Sequence, residues 1–148
     1  MYIRPYFLFL LLLLPIVVFA SFFPDFLLFY PRFKYWEYPQ ILGLSSFQKI
    51  FLFESAYIIN FISTEIFFRG ALVIALANIL GKESVLAMAS FYCFTHFGKP
   101  IGEAITSFFG GYILGIIALN HKNIAGGIVV HVGLAMLMEF VSIIQHLI

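Results

Sequence analysis

Four ionisable side chains lie inside long apolar stretches of the sequence, and their types suit acid–base chemistry. They are Glu65, Arg69, His96 and His131. A charged side chain near the centre of a bilayer costs roughly 2.5 to 3.5 kcal/mol on insertion scales, so such residues usually face a partner or a wet cavity inside a helical bundle. Because the four come from three separate stretches, we expect those stretches to meet around one polar pocket.

The spacing of Glu65 and Arg69 predicts an ion pair, because residues at i and i+4 with the acid first meet on one helix face. Such a pair can serve only to neutralise itself and to lock two helices together. With two imidazoles nearby, it can also be part of an acid–base set. In that hypothesis Glu65 takes a proton from a water that one histidine also orients, and the other histidine donates to the oxyanion.

Two imidazoles and one carboxylate are also the ligand set of a catalytic zinc site. The sequence has no HExxH pattern, so its spacing gives zinc no specific support. The cofactor therefore stays open at this point. A glutamate-type mechanism requires none, and zinc is the alternative.

Three other polar residues are supporting candidates. Glu103 follows His96 by seven positions; otherwise it is a charge in the first turn of a helix, stabilised by the helix dipole. Glu139 lies two turns beyond His131; alternatively, it only pairs with a terminal Lys or a lipid headgroup. Thr64 directly precedes Glu65.

The composition identifies an integral membrane protein. The mean hydropathy is +1.05 and charged residues make up 10% of the chain, whereas soluble proteins have about 25%. A net charge of +1 gives no sign of a nucleic-acid partner, which requires a clustered basic face. The single Cys93 can form neither an internal disulfide nor a thiolate metal site. We therefore predict an all-α, polytopic transmembrane bundle in a single domain, residues 1–148.

A membrane-crossing helix needs about 20 mostly apolar residues, and the chain has room for about five. The amino terminus resembles a secretory signal peptide, but its apolar run is long enough to span, which favours an uncleaved helix. The motif-bearing core occupies about residues 47–148. The predicted segments are 6–23, 47–80, 85–97, 101–119 and 124–148.

Two of these segments have features that bear on the site. Residues 47–80 form an apolar helix of about 50 Å, longer than the roughly 30 Å hydrocarbon core, so we expect a break or bend, with Gly70 as the hinge. Gly111 and Gly115 form a GxxxG pair that allows close approach of a neighbouring helix.

The segment between the first two apolar stretches, residues 24–46, is the least hydrophobic part of the chain. Its aromatic residues, Trp36 among them, are typical of the membrane interface, and it could cover the pocket. Arg32 and Lys34 on this side outnumber Arg4 on the other, which slightly favours a cytoplasmic position for the segment.

Three motifs resemble those of the CPBP family of intramembrane proteases (CAAX-processing and bacteriocin-processing, also called Abi). Residues 64–70, TEIFFRG, resemble its Glu-Glu-x-x-x-Arg motif, and residues 91–96, FYCFTH, resemble its second motif, an aromatic residue before a His. His131 matches the His that opens the third, His-x-x-x-Asn/Asp. The sequence departs from the pattern at Thr64, the first Glu position, and at Ala135, the Asn/Asp position.

The resemblance implies an intramembrane endopeptidase of the bacterial cytoplasmic membrane, acting on a membrane-associated protein or peptide. It also implies that Glu65 is the general base, positioned by Arg69, and that His96 and His131 serve the water and the oxyanion. Bacterial members with a single Glu and a HFGKP continuation are similar to this chain, and there Glu103 could supply the second carboxylate. The alternatives are a non-catalytic scaffold or immunity-type relative and a small proton-coupled carrier.

Overall fold

The computed structural model describes residues 4–37 and 43–148, and this part of the chain consists of helices and short connections. A 3₁₀ turn, Tyr35–Glu37, precedes the second long helix. The all-α prediction is therefore confirmed. The helices are α1 (Arg4–Ala20), α2 (Pro24–Phe29), α3 (Ser46–Glu65), a π-helical segment (Ile66–Ala75), α4 (Ala77–Leu80), α5 (Glu83–Phe94), α6 (Ile101–His121) and α7 (Ala125–Leu147).

Within the described residues, three helical runs are long and apolar enough to cross a membrane. They are Ser46–Leu80, Ile101–His121 and Ala125–Leu147, while α1 and α5 are shorter apolar helices. Large apolar side chains cover their outer surfaces; Ile79, for example, is 80% exposed. A helix satisfies its own backbone groups in lipid, so an apolar outer surface suits a bilayer. The chain is thus a polytopic integral membrane bundle.

The helical run that carries Glu65 and Arg69 has no hinge at Gly70, contrary to the expectation from the sequence. The run continues through Gly70 to Leu80, and instead of breaking it changes winding at Ile66 from α to π. The wider winding is visible where the backbone N–H of Leu76 donates to the carbonyl of Ala71 at 3.0 Å. Local π-helical turns are frequent at functional sites because they re-aim the side chains around them.

Helices α5 and α6 pack closely through the predicted glycine pair. A Cβ on Gly111 would lie 2.9 Å from Cδ1 of Tyr92, and a Cβ on Gly115 would lie 2.7 Å from Cε of Met88 and 2.9 Å from Cγ1 of Val85. Such distances leave no room for a side chain. The GxxxG prediction is confirmed, and its partner is α5.

The amino-terminal part of the chain packs against α7. Gly126 of α7 faces the ring of Tyr6 on α1, and α2 adds Phe26 to an apolar cluster that includes Met138 of α7. The chain after α2 folds back on the same helix, where the backbone N–H of Arg32 donates to both carboxylate oxygens of Glu139, at 2.9 and 3.0 Å. This segment is therefore held against the bundle.

Candidate active site

Glu65, the last residue of α3, lies at the centre of a buried polar cluster. Its side chain is fully buried, and Oε1 lies 2.8 Å from Nη1 of Arg69 and 2.8 Å from Nδ1 of His131 on α7. The contact with Arg69 is an ion pair whose angles are not those of a hydrogen bond. Oε2 has no hydrogen-bond partner in the described part of the chain and lies against Gly127, whose missing side chain leaves it space.

Tyr92 of α5 completes the surroundings of His131. A carboxylate only accepts, so Nδ1 of His131 donates to Glu65 and Nε2 accepts from the Tyr92 hydroxyl, 3.0 Å away. The guanidinium carbon of Arg69 lies 4.4 Å from the centre of the Tyr92 ring, within cation–π range. The end of α3, α5 and α7 are thus tied together through His131.

His96 lies in the turn after α5 and points its second nitrogen at a carboxylate. Nδ1 lies 3.0 Å from the carbonyl of Tyr92, so this nitrogen carries the proton of a neutral imidazole and Nε2 keeps its lone pair. Nε2 lies 3.9 Å from Oε1 of Glu103. His96 therefore offers an acceptor atom beside a carboxylate.

Glu103, in the first turn of α6, is held at both oxygens. The Lys99 ammonium donates to Oε1 at 2.6 Å, and the hydroxyl of Tyr30 donates to Oε2 at 2.7 Å. Burial, together with the negative charge of Glu103, raises the pKa of the Tyr30 hydroxyl above its ordinary value of 10.0. Tyr30 consequently keeps its proton and acts as the donor in this contact.

A cavity of about 490 Å³ lies between α1, α6 and α7, and the polar residues meet on its wall. Most of the rest of the wall is apolar. Glu65 is not among the described residues that line it; the carboxylate lies behind Arg69 and His131. The cavity-facing polar and charged residues include Arg69, Tyr92, His96, Lys99, Glu103 and His131.

The other candidates from the sequence lie elsewhere. Thr64 is half-buried and its hydroxyl donates to the carbonyl of Asn60 on its own helix. Glu139 holds the backbone of Arg32. Ala135 is buried and lines the cavity without a polar side chain. Of the three supporting candidates, Glu103 is the one that reaches the cluster.

Sequence reasoning missed three residues of this cluster: Tyr30, Tyr92 and Lys99. A signal existed for two of them, because Tyr92 lies four positions before His96 and Lys99 four positions before Glu103, the spacing of neighbours on one helix face. Tyr30 gave no such signal, because its partner is 73 positions away.

The part of the chain that the structure describes contains no ligand set for the zinc alternative. No group of three His, Cys, Asp or Glu side chains there could hold a metal ion. Both nitrogens of His131 already contact Glu65 and Tyr92. Glu65 and His131 thus form a hydrogen-bonded cluster with the Tyr92 hydroxyl, and His96 bonds separately to the backbone carbonyl of Tyr92.

Comparison with known proteins gave one match. Residues 46–137, well over half of the chain, match the family model described as Type II CAAX prenyl endopeptidase Rce1-like. A search of curated proteins and a search of solved structures each gave no match. The matched region begins with α3 and ends within α7, so it contains Glu65, His96, Glu103 and His131 and excludes α1 and α2.

Proposed function

Because the chain belongs to the Rce1-like family of type II CAAX prenyl endopeptidases, we propose that it is an intramembrane endopeptidase. It hydrolyses a peptide bond of a membrane-associated protein or peptide, in the cytoplasmic membrane of a bacterium. The observation that carries this proposal is the meeting of His96, Glu103 and His131 on the wall of one cavity. The turn after α5 and the helices α6 and α7 each bring one of these groups, which is the arrangement that hydrolysis by an activated water requires.

Glu103 and His96 are proposed to activate the water. Oε1 of Glu103 and Nε2 of His96 are both acceptors and lie 3.9 Å apart, so one water can donate to both. As the water oxygen bonds to the carbonyl carbon, its proton passes to Glu103. When the tetrahedral intermediate collapses, the C–N bond breaks and that proton goes to the leaving amine. Glu103 thus takes the role of general base that the sequence pattern suggested for Glu65.

His131 and Tyr92 are proposed to stabilise the oxyanion. The pair has one proton, which lies on the Tyr92 hydroxyl; His131 holds this hydroxyl through Nε2, and the hydroxyl can turn toward a negative oxygen in the cavity. Donors fixed in a site with little water are worth more than the same donors in water. Glu65 and Arg69 are then positioning residues, because Glu65 acts through Nδ1 of His131.

The test uses the full-length protein purified and reconstituted in liposomes with fluorogenic peptides, each carrying or lacking a lipid anchor. Wild type should cleave a subset of them. Glu103→Gln and His96→Ala should each lower kcat by about 100-fold or more, the range of general acid–base catalysis. Glu83→Gln is the matched control, because it removes an exposed carboxylate from the first turn of α5.

Two results would contradict the proposal. Wild-type rates for both Glu103→Gln and His96→Ala would remove the two residues from the reaction. If no peptide of the panel is cleaved while the liposomes show proton-driven flux that His96→Ala abolishes, the protein is a carrier.

A further inference from the structure

Tyr30 brings a polar group to the cavity from outside the region that matches the family. It follows α2, and the match begins at residue 46. Its side chain is 2% exposed and its ring packs against those of Phe26 and Phe29, with centroids 5.0 Å away in both cases. Only the hydroxyl faces the cluster, where it donates to Oε2 of Glu103 at 2.7 Å.

The backbone beside Tyr30 is fixed by a second carboxylate. Glu139 of α7, itself 3% exposed, accepts the N–H of Arg32 with both oxygens, and Arg32 is two positions after Tyr30. The single N–H is shared between the two oxygens as a bifurcated hydrogen bond, which ties this stretch of chain to α7. The position of Tyr30 is therefore set by α7, independently of α6.

We propose that Tyr30 is a positioning residue of the active site, which holds the carboxylate of Glu103 in the orientation that places Oε1 beside His96. The last side-chain torsion of a Glu has a broad, two-fold energy profile, so a contact at one oxygen alone does not fix the carboxylate plane. Lys99 holds Oε1 and Tyr30 holds Oε2, and the two contacts together fix the plane. This inference rests on the proposed function of Glu103.

Glu139 then helps to position the site although it is not among the described residues that line the cavity. Its hydrogen bond to the backbone of Arg32 keeps Tyr30 close to Glu103, so Glu139 acts on Glu103 through Arg32 and Tyr30. The residue that directly follows α2, Tyr30, thus contributes a hydroxyl to the site.

The first experiment is Tyr30→Phe in the reconstituted full-length protein. The variant keeps the ring and its packing and removes only the hydroxyl. We expect kcat to fall about 10-fold to 100-fold, the loss that corresponds to one hydrogen bond to a charged group, with KM unchanged within about two-fold. Tyr112→Phe is the matched control, because it removes a hydroxyl from an exposed tyrosine of α6. A wild-type kcat for Tyr30→Phe would overturn the proposal.

A double-mutant cycle tests the contact without relying on activity. The melting temperatures of Tyr30→Phe, Glu103→Ala and the double variant should be non-additive, because Glu103→Ala removes both oxygens and leaves Tyr30→Phe no contact to lose. Additive shifts would overturn the proposal. If wild type cleaves nothing, the proposed function fails, and the cycle still decides whether Tyr30 holds Glu103.

The role of Glu139 is tested in the same way. Glu139→Ala should lower kcat to the level of Tyr30→Phe, and the double variant should be no slower than either single variant. Glu139→Gln, which keeps one accepting oxygen, should restore most of the activity. An independent loss in the double variant would remove Glu139 from this chain of contacts.

Discussion

Oε1 of Glu65 lies 2.8 Å from Nδ1 of His131, although 66 positions separate the two residues. The contact joins the end of α3 to α7 and places the carboxylate behind the imidazole, away from the cavity. Glu65 is therefore connected to the proposed substrate site through His131. In the proposed mechanism, the carboxylate that acts in the cavity itself is Glu103.

Replacing Glu65 by Gln should destabilise the protein strongly. The change keeps the size of the side chain but leaves the charge of Arg69 buried without its partner, and breaking a buried pair in this way costs about 3 to 5 kcal/mol. The free energy of unfolding, measured in mixed detergent micelles, should fall by this amount. The exposed Glu83→Gln serves as control. A loss below about 1 kcal/mol would mean that the ion pair with Arg69 is not formed.

Removing the second charge as well should recover part of that loss. In Glu65→Gln with Arg69→Met neither charge is buried, so the double variant should be more stable than Glu65→Gln alone. If the double variant is less stable by the sum of the two single losses, the charges are not coupled.

Gly127→Ala should disturb the site through one methyl group. A Cβ at this position would collide with Oε2 of Glu65, so the carboxylate must move away from His131. We expect a loss of about 1 to 3 kcal/mol, typical of overpacking, together with a lower kcat. Gly102→Ala is the matched control in the first turn of α6, where nothing lies within 4 Å of the new Cβ.

The control should behave in the opposite sense. Gly102→Ala should leave kcat unchanged and stabilise the helix by about 0.5 to 1 kcal/mol, since Ala is the better helix former. Equal stability changes for Gly127→Ala and Gly102→Ala would show that Glu65 does not occupy the space beside Gly127.

Tyr92→Phe should separate packing from chemistry at the centre of the site. The ring stays in the core, where it contacts Phe68 and Arg69, and only the hydroxyl beside His131 is lost. We expect about 1 kcal/mol of lost stability, the typical worth of one hydrogen bond, and a fall in kcat of about 10-fold or more with KM nearly unchanged. Measured rates equal to those of Tyr112→Phe would exclude Tyr92 from the oxyanion site.

Much of this site could be predicted from short-range spacing. The pairing of Glu65 with Arg69 follows from helix geometry alone, and the burial of His96 and His131 follows from the cost of polar groups in lipid. The close approach at Gly111 and Gly115 has the same local origin, because small residues four positions apart leave a groove on the helix. These predictions needed no knowledge of which helices are neighbours.

The remaining parts depend on tertiary contacts. Glu103, half-buried, and Glu139, buried, are both carboxylates on membrane helices, yet one faces the cavity and the other holds the backbone of Arg32. No local pattern separates the two. The role of Tyr30 could not be predicted either, because aromatic residues form 20% of the chain and a single Tyr gives no distinct sequence signal. The change of winding at Ile66 also lacks a sequence signal, since helix propensities describe α-helices.

The π-wound stretch Ile66–Ala75 also makes the length of the chain between Glu65 and Leu76 part of the site. Loss of one amino acid there, with no compensating change of winding, would shift the register of every later residue. Everything on the far side would then swing by about 100° around the axis, the angle between successive residues in an α-helix. Homologues should therefore tolerate exchanges of side chains in this stretch far better than insertions or deletions.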